Sequence, residues 1–237
     1  MAQTQYGTLA LIGSGEYLPK IEAVDKQLLE RLSEVPRVVV LPTAAATEGQ
    51  GVVQRWVDMG VAHFQHLGAA VEPVMLLTRA DADKTEIVAQ IEQANFVYFS
   101  GGKPRYLLES LQGSPTWQAV KHVLARGGVV AGCSAGAMVM GQEFFDFPQV
   151  WHARPALNVV PNLAVIPHFD EVPSFFADNA IRAAGKLTIA GIEGSTALVG
   201  SSSGWTVIGS GGVTLFANKS KTRYTQGQVV PLEPLER

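Results

Sequence analysis

The sequence predicts an α/β fold, a mostly parallel sheet with helices on both faces, followed by antiparallel hairpins near the C-terminal end. Three observations predict it. Short apolar runs alternate with helical stretches from the N-terminus to about residue 142, the pattern of strands joined by crossover helices. Two of these runs end in glycine turns, Gly13-Ser14-Gly15 and Gly101-Gly102. From residue 197 onward, apolar runs are separated by Gly/Ser turns instead of helices, which suits hairpins.

Each element follows from its local pattern. Residues 8–12 form a short apolar strand ending in Gly13-Ser14-Gly15-Glu16. No third glycine follows at dinucleotide-binding spacing, so a Rossmann site is rejected. Residues 21–33 read as an amphipathic helix with Ile21, Val24, Leu28, Leu29 and Leu32 on one face, closed by Pro36. Residues 37–41 form a buried-type strand, 50–67 a second helix and 70–76 a third strand. Residues 78–94 read as one helix with an acidic first turn, and 95–100 as a fourth strand. Helices are expected at 107–111 and 116–126, broken by Gly113-Ser114-Pro115, and then a fifth strand at 129–131. Residues 144–154 read as an irregular aromatic connection. Strands at 164–166 and 187–192 flank a helix at 175–184, and hairpin strands follow at 197–199, 205–208 and 213–216. With no internal repeat and no low-complexity linker, residues 1–237 are read as one α/β domain.

Composition narrows the function. Hydrophobic residues make up 47% of the chain and charged residues 16%, enough for a large core. The formal net charge of −3 provides no electrostatic footprint for nucleic acid. No apolar run approaches a membrane span, and residues 1–7 show no basic segment leading into an apolar one. The single cysteine, Cys133, excludes an internal disulfide framework. The expectation is a cytoplasmic protein with no membrane partner and no cofactor. His63 and His66 stand three apart in a predicted helix, but no third ligand is evident, so both are read as surface histidines and no metal is expected.

The chemistry concentrates at Gly132-Cys133-Ser134-Ala135-Gly136. Gly-x-Ser-x-Gly at a strand-to-helix turn is the context of a nucleophile elbow. A serine there takes a strained conformation, and glycines two residues either side let strand and helix pass closely. A hydroxyl needs an adjacent base, and histidine is suited to it near neutral pH. His63, His66 and His122 fall in predicted helices and His152 in the irregular connection. His168 follows an apolar strand, where α/β sheets place their sites. An acid must orient the base. Glu193, at the end of the next strand, and Asp146, in the connection after the elbow, are alternatives, while Asp170 is too near His168 in sequence for an easy side-on approach. Expected oxyanion donors are the N–H of Ala135 and one from Gly101-Gly102. Cys133 raises a rival thiol nucleophile, but the central position of the motif is Ser134, so Cys133 is read as a small packing residue.

These blocks resemble a known family. Phe99-Ser100-Gly101-Gly102, Gly132-Cys133-Ser134-Ala135-Gly136-Ala137 and Pro167-His168-Phe169, in that order and spacing, are similar to the serine peptidases that include peptidase E, an aspartyl dipeptidase, and cyanophycinase. The resemblance covers roughly residues 8–200 and implies a class I glutamine amidotransferase-like, flavodoxin-like fold. It also implies hydrolysis of a peptide or isopeptide bond through an acyl-enzyme, with Ser134 matching the nucleophile and His168 the base. Glu193 is similar to the cyanophycinase-type acid and is favoured; Asp146 looks like the peptidase E aspartate. The arginines that follow the histidine in cyanophycinases are missing here, where Asp170-Glu171-Val172-Pro173 stands instead. Lys103 replaces the acidic or amide residue usual after the glycine pair.

A serine hydrolase acting on a small peptide, such as an aspartyl dipeptide, is therefore the leading expectation. Lys103 and Arg105 are the candidate cations for substrate. The alternatives are an amidase or acyltransferase on a non-peptide substrate, and a non-catalytic binding protein that kept the fold. A homodimer is a further expectation.

Overall fold

Alternate residues of the inner strands enter two different cores, because a strand turns successive side chains to opposite faces. In the computed structural model, which describes residues 6–146, 153–183, 185–217 and 220–235, the strands are β1 (Thr8–Ile12), β2 (Arg37–Leu41), β3 (Ala70–Pro73), β4 (Phe96–Phe99), β5 (Val129–Cys133), β6 (Glu143–Phe145), β7 (Ala153–Pro155), β8 (Leu163–Ile166), β9 (Thr188–Ile192), β10 (Thr196–Ser201), β11 (Gly204–Gly209), β12 (Gly212–Ala217), β13 (Ser220–Thr225) and β14 (Val229–Val230). The helices are α1 (Glu22–Leu29), α2 (Gln50–His66), α3 (Thr85–Gln93), α4 (Pro104–Leu111), α5 (Pro115–Ala125), α6 (Ala135–Met138) and α7 (Ser174–Ala183).

The main sheet runs β14-β11-β10-β1-β5-β4-β2-β3. Its β1, β5, β4, β2 and β3 are mutually parallel, while β10, β11 and β14 add on antiparallel beyond β1. Leu9, Leu11, Val39, Leu41, Val97, Phe99 and Val130 face one core, shared with α3, α4 and α5. Ala10, Ile12, Val38, Val40, Phe96, Tyr98, Val129 and Ala131 face the other, under α1 and α2. Burial on both faces explains why these strands are continuous apolar runs, and each fully buried aliphatic side chain contributes about 1.5–3 kcal/mol. A second sheet, β13-β12-β9-β8, joins the first core through Leu163, Val165, Ala190 and Ile192. The hairpins expected near the C-terminal end are thus divided between sheets, β10–β11 in one and β12–β13 in the other.

Several elements differ from the sequence reading for identifiable reasons. The helix expected over 21–33 stops at Leu29, and Arg31 and Leu32 continue it with tighter bonds back to Leu28 and Leu29. The helix expected over 78–94 divides into a short turn at Asp81–Asp83 and α3. Extended Lys84, with ψ of 130°, separates them, and the Asp81 carboxylate folds back onto the N–H groups of Leu77 and Thr78. The Lys84 ammonium at 2.6 Å and those N–H donors hold the Asp81 carboxyl at about 2. The connection expected to be irregular contains the antiparallel pair β6–β7; His152 lies outside the described residues.

His63 corrects the expectation of two surface histidines. It is 9% exposed, and its Nε2 lies 2.8 Å from Oδ2 of fully buried Asp25. The two residues come from α2 and α1, which cover the same sheet face, so their inward polar groups meet. Burial pushes the Asp25 carboxyl up, against the lowering effect of the His63 contact and charge. His66 is the exposed one. No helix among the described residues is long and apolar enough to cross a membrane.

Backbone passes backbone closely at Gly132, where an added Cβ would lie 2.4 Å from the Gly136 backbone. Gly132→Ala is expected to lower stability by about 3 kcal/mol or to prevent folding. Gly51→Ala, in α2 with nothing within 4 Å of its added Cβ, should be neutral or slightly stabilising. Urea midpoints of the two variants, at unchanged slope, check the contrast.

Candidate active site

Three strand ends meet along one edge of the main sheet. In register, Ile12 of β1 lies beside Cys133 of β5, and Phe99 of β4 beside Gly132. The turns that follow, starting at Gly13, Ser100 and Ser134, therefore emerge together, as open α/β sheets require of a ligand site. Ser134 is held by its N–H on the carbonyl of Ile12 at 3.0 Å. Its backbone sits at φ 51°, ψ −107°, a strained conformation for a residue with a Cβ. The glycines around it have steric reasons: Gly132 passes Gly136, and a Cβ on Gly136 would lie 2.8 Å from the carbonyl oxygen of Phe99. The following helix α6 has only four residues, so the polarity behind Ser134 is that of individual N–H groups, such as that of Ala135 in the first turn, and not of a long helix dipole.

His168 comes from the second sheet. It follows β8 and also has positive φ, 51°. The next residue anchors it. The Phe169 N–H donates to the carbonyl of Ile192 at 3.0 Å, and its ring lies where a side chain at Gly191 would be, edge-on to Phe216 at 5.7 Å. The result is a 3.0 Å contact between Ser134 Oγ and His168 Nε2. On the other side of the ring, Nδ1 lies 3.4 Å from Oε2 of Glu171, whose side chain is 70% exposed.

Ser134 and His168 open onto a cavity of about 890 Å³. Gly102, Lys103, Arg105 and Asp146 also line it, as do Tyr106, Met138 and Glu171. The cavity thus brings together most of the residues singled out from sequence. Arg105 pairs with Glu109 at 2.8 Å and Asp146 with Arg154 at 3.6 Å, while Lys103 makes no ion pair among the described residues. Chemically, a hydroxyl bonded to an imidazole at the wall of a cavity is an arrangement for general-base activation of the hydroxyl. Among the described residues no group of three His, Cys, Asp or Glu side chains is placed to hold a metal ion.

Two of the expected site residues are engaged elsewhere. Glu193 makes no hydrogen bond or ion pair with His168 among the described residues. Its oxygens accept from Nε and Nη2 of Arg223, both at 2.7 Å, and from the Gly212 N–H at 2.8 Å. The pairing of β12 with both β9 and β13 brings Arg223 beside it, so the carboxylate is satisfied within the second sheet. The Gly101 N–H is donated to Glu16 Oε1 at 2.8 Å. Of the glycine pair, only Gly102 lines the cavity. Asp170 accepts the Gly194 N–H at 2.8 Å. Cys133 is fully buried, and burial and the neighbouring Glu16 charge push its thiol well above the ordinary range. Glu16 and Glu171 were missed as partners. The only sequence signal for either was position, Glu16 in the first glycine turn and Glu171 three residues after the histidine.

Comparison with known proteins gives a consistent set of relatives. The model for Peptidase family S51 matches residues 9–208. A crystal structure of a peptidase from an acI-B1 Actinobacterium superposes with a TM-score of 0.87 at 32% identity, covering 96% of this chain and 98% of that one. A putative peptidase E protein from Listeria monocytogenes shares the fold, with a TM-score of 0.63 at 21% identity over 86% of this chain and 99% of that one. A cyanophycinase of Nostoc sp. is 27% identical over 185 residues, which is 73% of this chain and 62% of that protein's length.

The Glu193–Arg223 pair yields a test of its structural part. Arg223 holds the Glu193 carboxyl below its ordinary 4.5, with burial opposing. A carboxyl depressed by folding contributes stability above its unfolded value and loses that contribution as pH falls through the folded one. Arg223 is 49% exposed, so solvent screening limits the effect. Glu193→Gln is expected to cost up to about 1 kcal/mol at pH 7 and progressively less below pH of about 4. Denaturant unfolding across pH measures it.

Proposed function

This chain belongs to peptidase family S51, and from that premise we propose that it cleaves a peptide or isopeptide bond of a small peptide through an acyl-enzyme on Ser134. The observation that carries the reading is the 3.0 Å contact between Ser134 Oγ and His168 Nε2 in the wall of the cavity. Nε2 takes the hydroxyl proton as Oγ adds to the substrate carbonyl carbon. The resulting oxyanion is met by the N–H groups of Gly102 and Ala135. The tetrahedral intermediate collapses, the C–N bond breaks, and His168 passes the proton to the departing amine. Water then adds to the acyl carbonyl with His168 again as base, which releases the acid and restores Ser134.

In this reading Glu171, the carboxylate at Nδ1, steadies the imidazolium. Asp146 stands in the same cavity as the alternative, and Glu193 serves Arg223 instead. The glutamate's exposure makes its contribution smaller than that of a buried acid.

The substrate proposed is a dipeptide carrying a carboxylate side chain, with aspartyl dipeptides first. The support is chemical. Lys103 lies on the cavity wall and makes no ion pair among the described residues, and Asp146, although 3.6 Å from Arg154, puts a carboxylate in the same wall toward a substrate ammonium group. A long arginine-bearing polymer would find no arginine cluster after His168.

Two measurements test these roles. Wild type treated with a fluorophosphonate should gain one adduct by intact mass, and Ser134→Ala none. Turnover by Ser134→Ala should fall at least about 1,000-fold, and that of Glu171→Gln about tenfold, a larger loss than for Glu193→Gln or Asp146→Asn. A retained adduct in Ser134→Ala contradicts the proposed mechanism, and a larger loss in Asp146→Asn reassigns the acid. For the substrate, Lys103→Met should raise KM for Asp-X dipeptides about tenfold, roughly 1.4 kcal/mol, with kcat preserved and neutral dipeptides unaffected. Equal losses on both substrates remove Lys103 from specificity.

A further inference from the structure

Glu16 stands just beyond the turn that ends β1 and is only 7% exposed. Its two oxygens serve two different strand ends. Oε1 accepts the N–H of Gly101, after β4, at 2.8 Å. Oε2 accepts the thiol of Cys133, the residue before Ser134, at 3.1 Å. The contact is continuous with Ser134: a Cβ added to Gly101 would lie 2.5 Å from Oε1 and 3.3 Å from the Ser134 Cβ. Glu16 makes no ion pair among the described residues. A buried carboxylate without a cation is costly, so its retention beside the reactive serine calls for a reason beyond packing.

The glycine loop supplies that reason. Three successive amides define it. The Gly101 N–H is held by Glu16, and the Lys103 N–H is donated to the carbonyl of Ala44 at 2.8 Å. Between them, Gly102 has φ of 137° and lies so close to Ala44 that a Cβ would be 2.5 Å from its backbone. It is also the residue of the glycine pair that lines the cavity with Ser134 and His168. With both neighbouring amides tied inward, the rotation of the Gly102 amide is fixed.

We infer that Glu16 is a positioning residue for the hydrolysis, holding the Gly101 N–H so that the Gly102 N–H is aimed at the oxyanion formed on Ser134. The inference rests on the Ser134 reading given above. What the loop needs from Glu16 is an acceptor oxygen at a fixed reach, and charge is secondary. A glutamine keeps the oxygen for Gly101 and turns its amide N–H toward the weakly accepting sulfur of Cys133. An aspartate keeps the charge but withdraws the oxygens by about one C–C bond length.

The test is the saturation kinetics of fluorophosphonate labelling in wild type, Glu16→Gln and Glu16→Asp, read by intact mass, with thermal midpoints recorded alongside. Glu16→Gln is expected to label within about threefold of the wild-type limiting rate. Glu16→Asp should fall roughly 10- to 100-fold in limiting rate, because a displaced donor loses part of the 100- to 1,000-fold that one oxyanion donor supplies. Half-saturation should stay unchanged in both. An aspartate variant as fast as the glutamine variant, or a change confined to half-saturation, overturns the inference. Should the aspartate variant not fold, the glutamine variant decides alone, and a loss beyond tenfold overturns it. Wild type that forms no Ser134 adduct overturns the Ser134 reading itself before any Glu16 variant is compared.

Discussion

The molecule's central constraint is the crossing of β5 by the turn that follows it. Gly132 and Gly136 touch backbone to backbone, with 2.4 Å where a Cβ would be, and this forces Ser134, between them, into positive φ. The strain is held because the surroundings over-determine it. β5 is the second strand in from the antiparallel additions and is bonded on both sides, to β1 and β4. Gly136 in turn sits on Phe99 at the end of β4. Three strand ends thus fix one serine, and none of them can shift without loss of a ladder or a collision.

Behind this edge lies a polar layer that the apolar sheet would not be expected to contain. Glu16, Cys133, Asp25, His63, Tyr17 and Tyr98 are all buried. The Tyr17 ring lies 5.1 Å from Tyr98 and 5.9 Å from His63. The layer is partly satisfied: Glu16 bonds Gly101 and Cys133, and Asp25 bonds His63, while Asp25 Oδ1 and the Tyr98 hydroxyl have no hydrogen-bond partner among the described residues. Buried polar groups of this kind cost stability unless paired. Their concentration beneath one sheet edge, where Ser134 emerges, is a local departure from an otherwise apolar sequence pattern, and such departures cluster where sites are built.

Sequence periodicity revealed what depends on neighbours in the chain. The four inner parallel strands, β1, β5, β4 and β2, are apolar runs because both their faces are covered, and the Gly-x-Ser-x-Gly spacing states a close approach that only glycine permits. The Ser134–His168 pairing was accessible because each follows an apolar strand. The carboxylate assignments were not. Glu193 ends a strand as expected, yet its partner Arg223 lies 30 residues further on and reaches it through the register of β12 with β9 and β13. Glu16 meets groups 85 and 117 residues away. Periodicity carries no information about which of several carboxylates a folded chain turns toward a given ring, because long side chains choose among partners brought together by tertiary structure. His63 failed for the same reason: its helical spacing is equally good for a solvent face and for a buried contact with Asp25.

The Ser134–His168 pair is assembled across two sheets, and this makes its geometry a property of core packing. Ser134 belongs to the main sheet and His168 to the end of β8 in the second sheet. The two sheets meet through a shared apolar core in which Met138 and Val139, just after the serine, pack with Leu163 and Val165, just before the histidine. Hydrogen bonds fix each residue within its own sheet. Their 3.0 Å separation is set by how those aliphatic side chains fill the space between. Interiors packed at crystal density resist changes of even one methylene, so the same layer that stabilises the fold also sets the separation of hydroxyl and imidazole. The second sheet is therefore part of the site's machinery, and Phe169, clamped over Gly191, is the point at which that machinery is fastened to the imidazole.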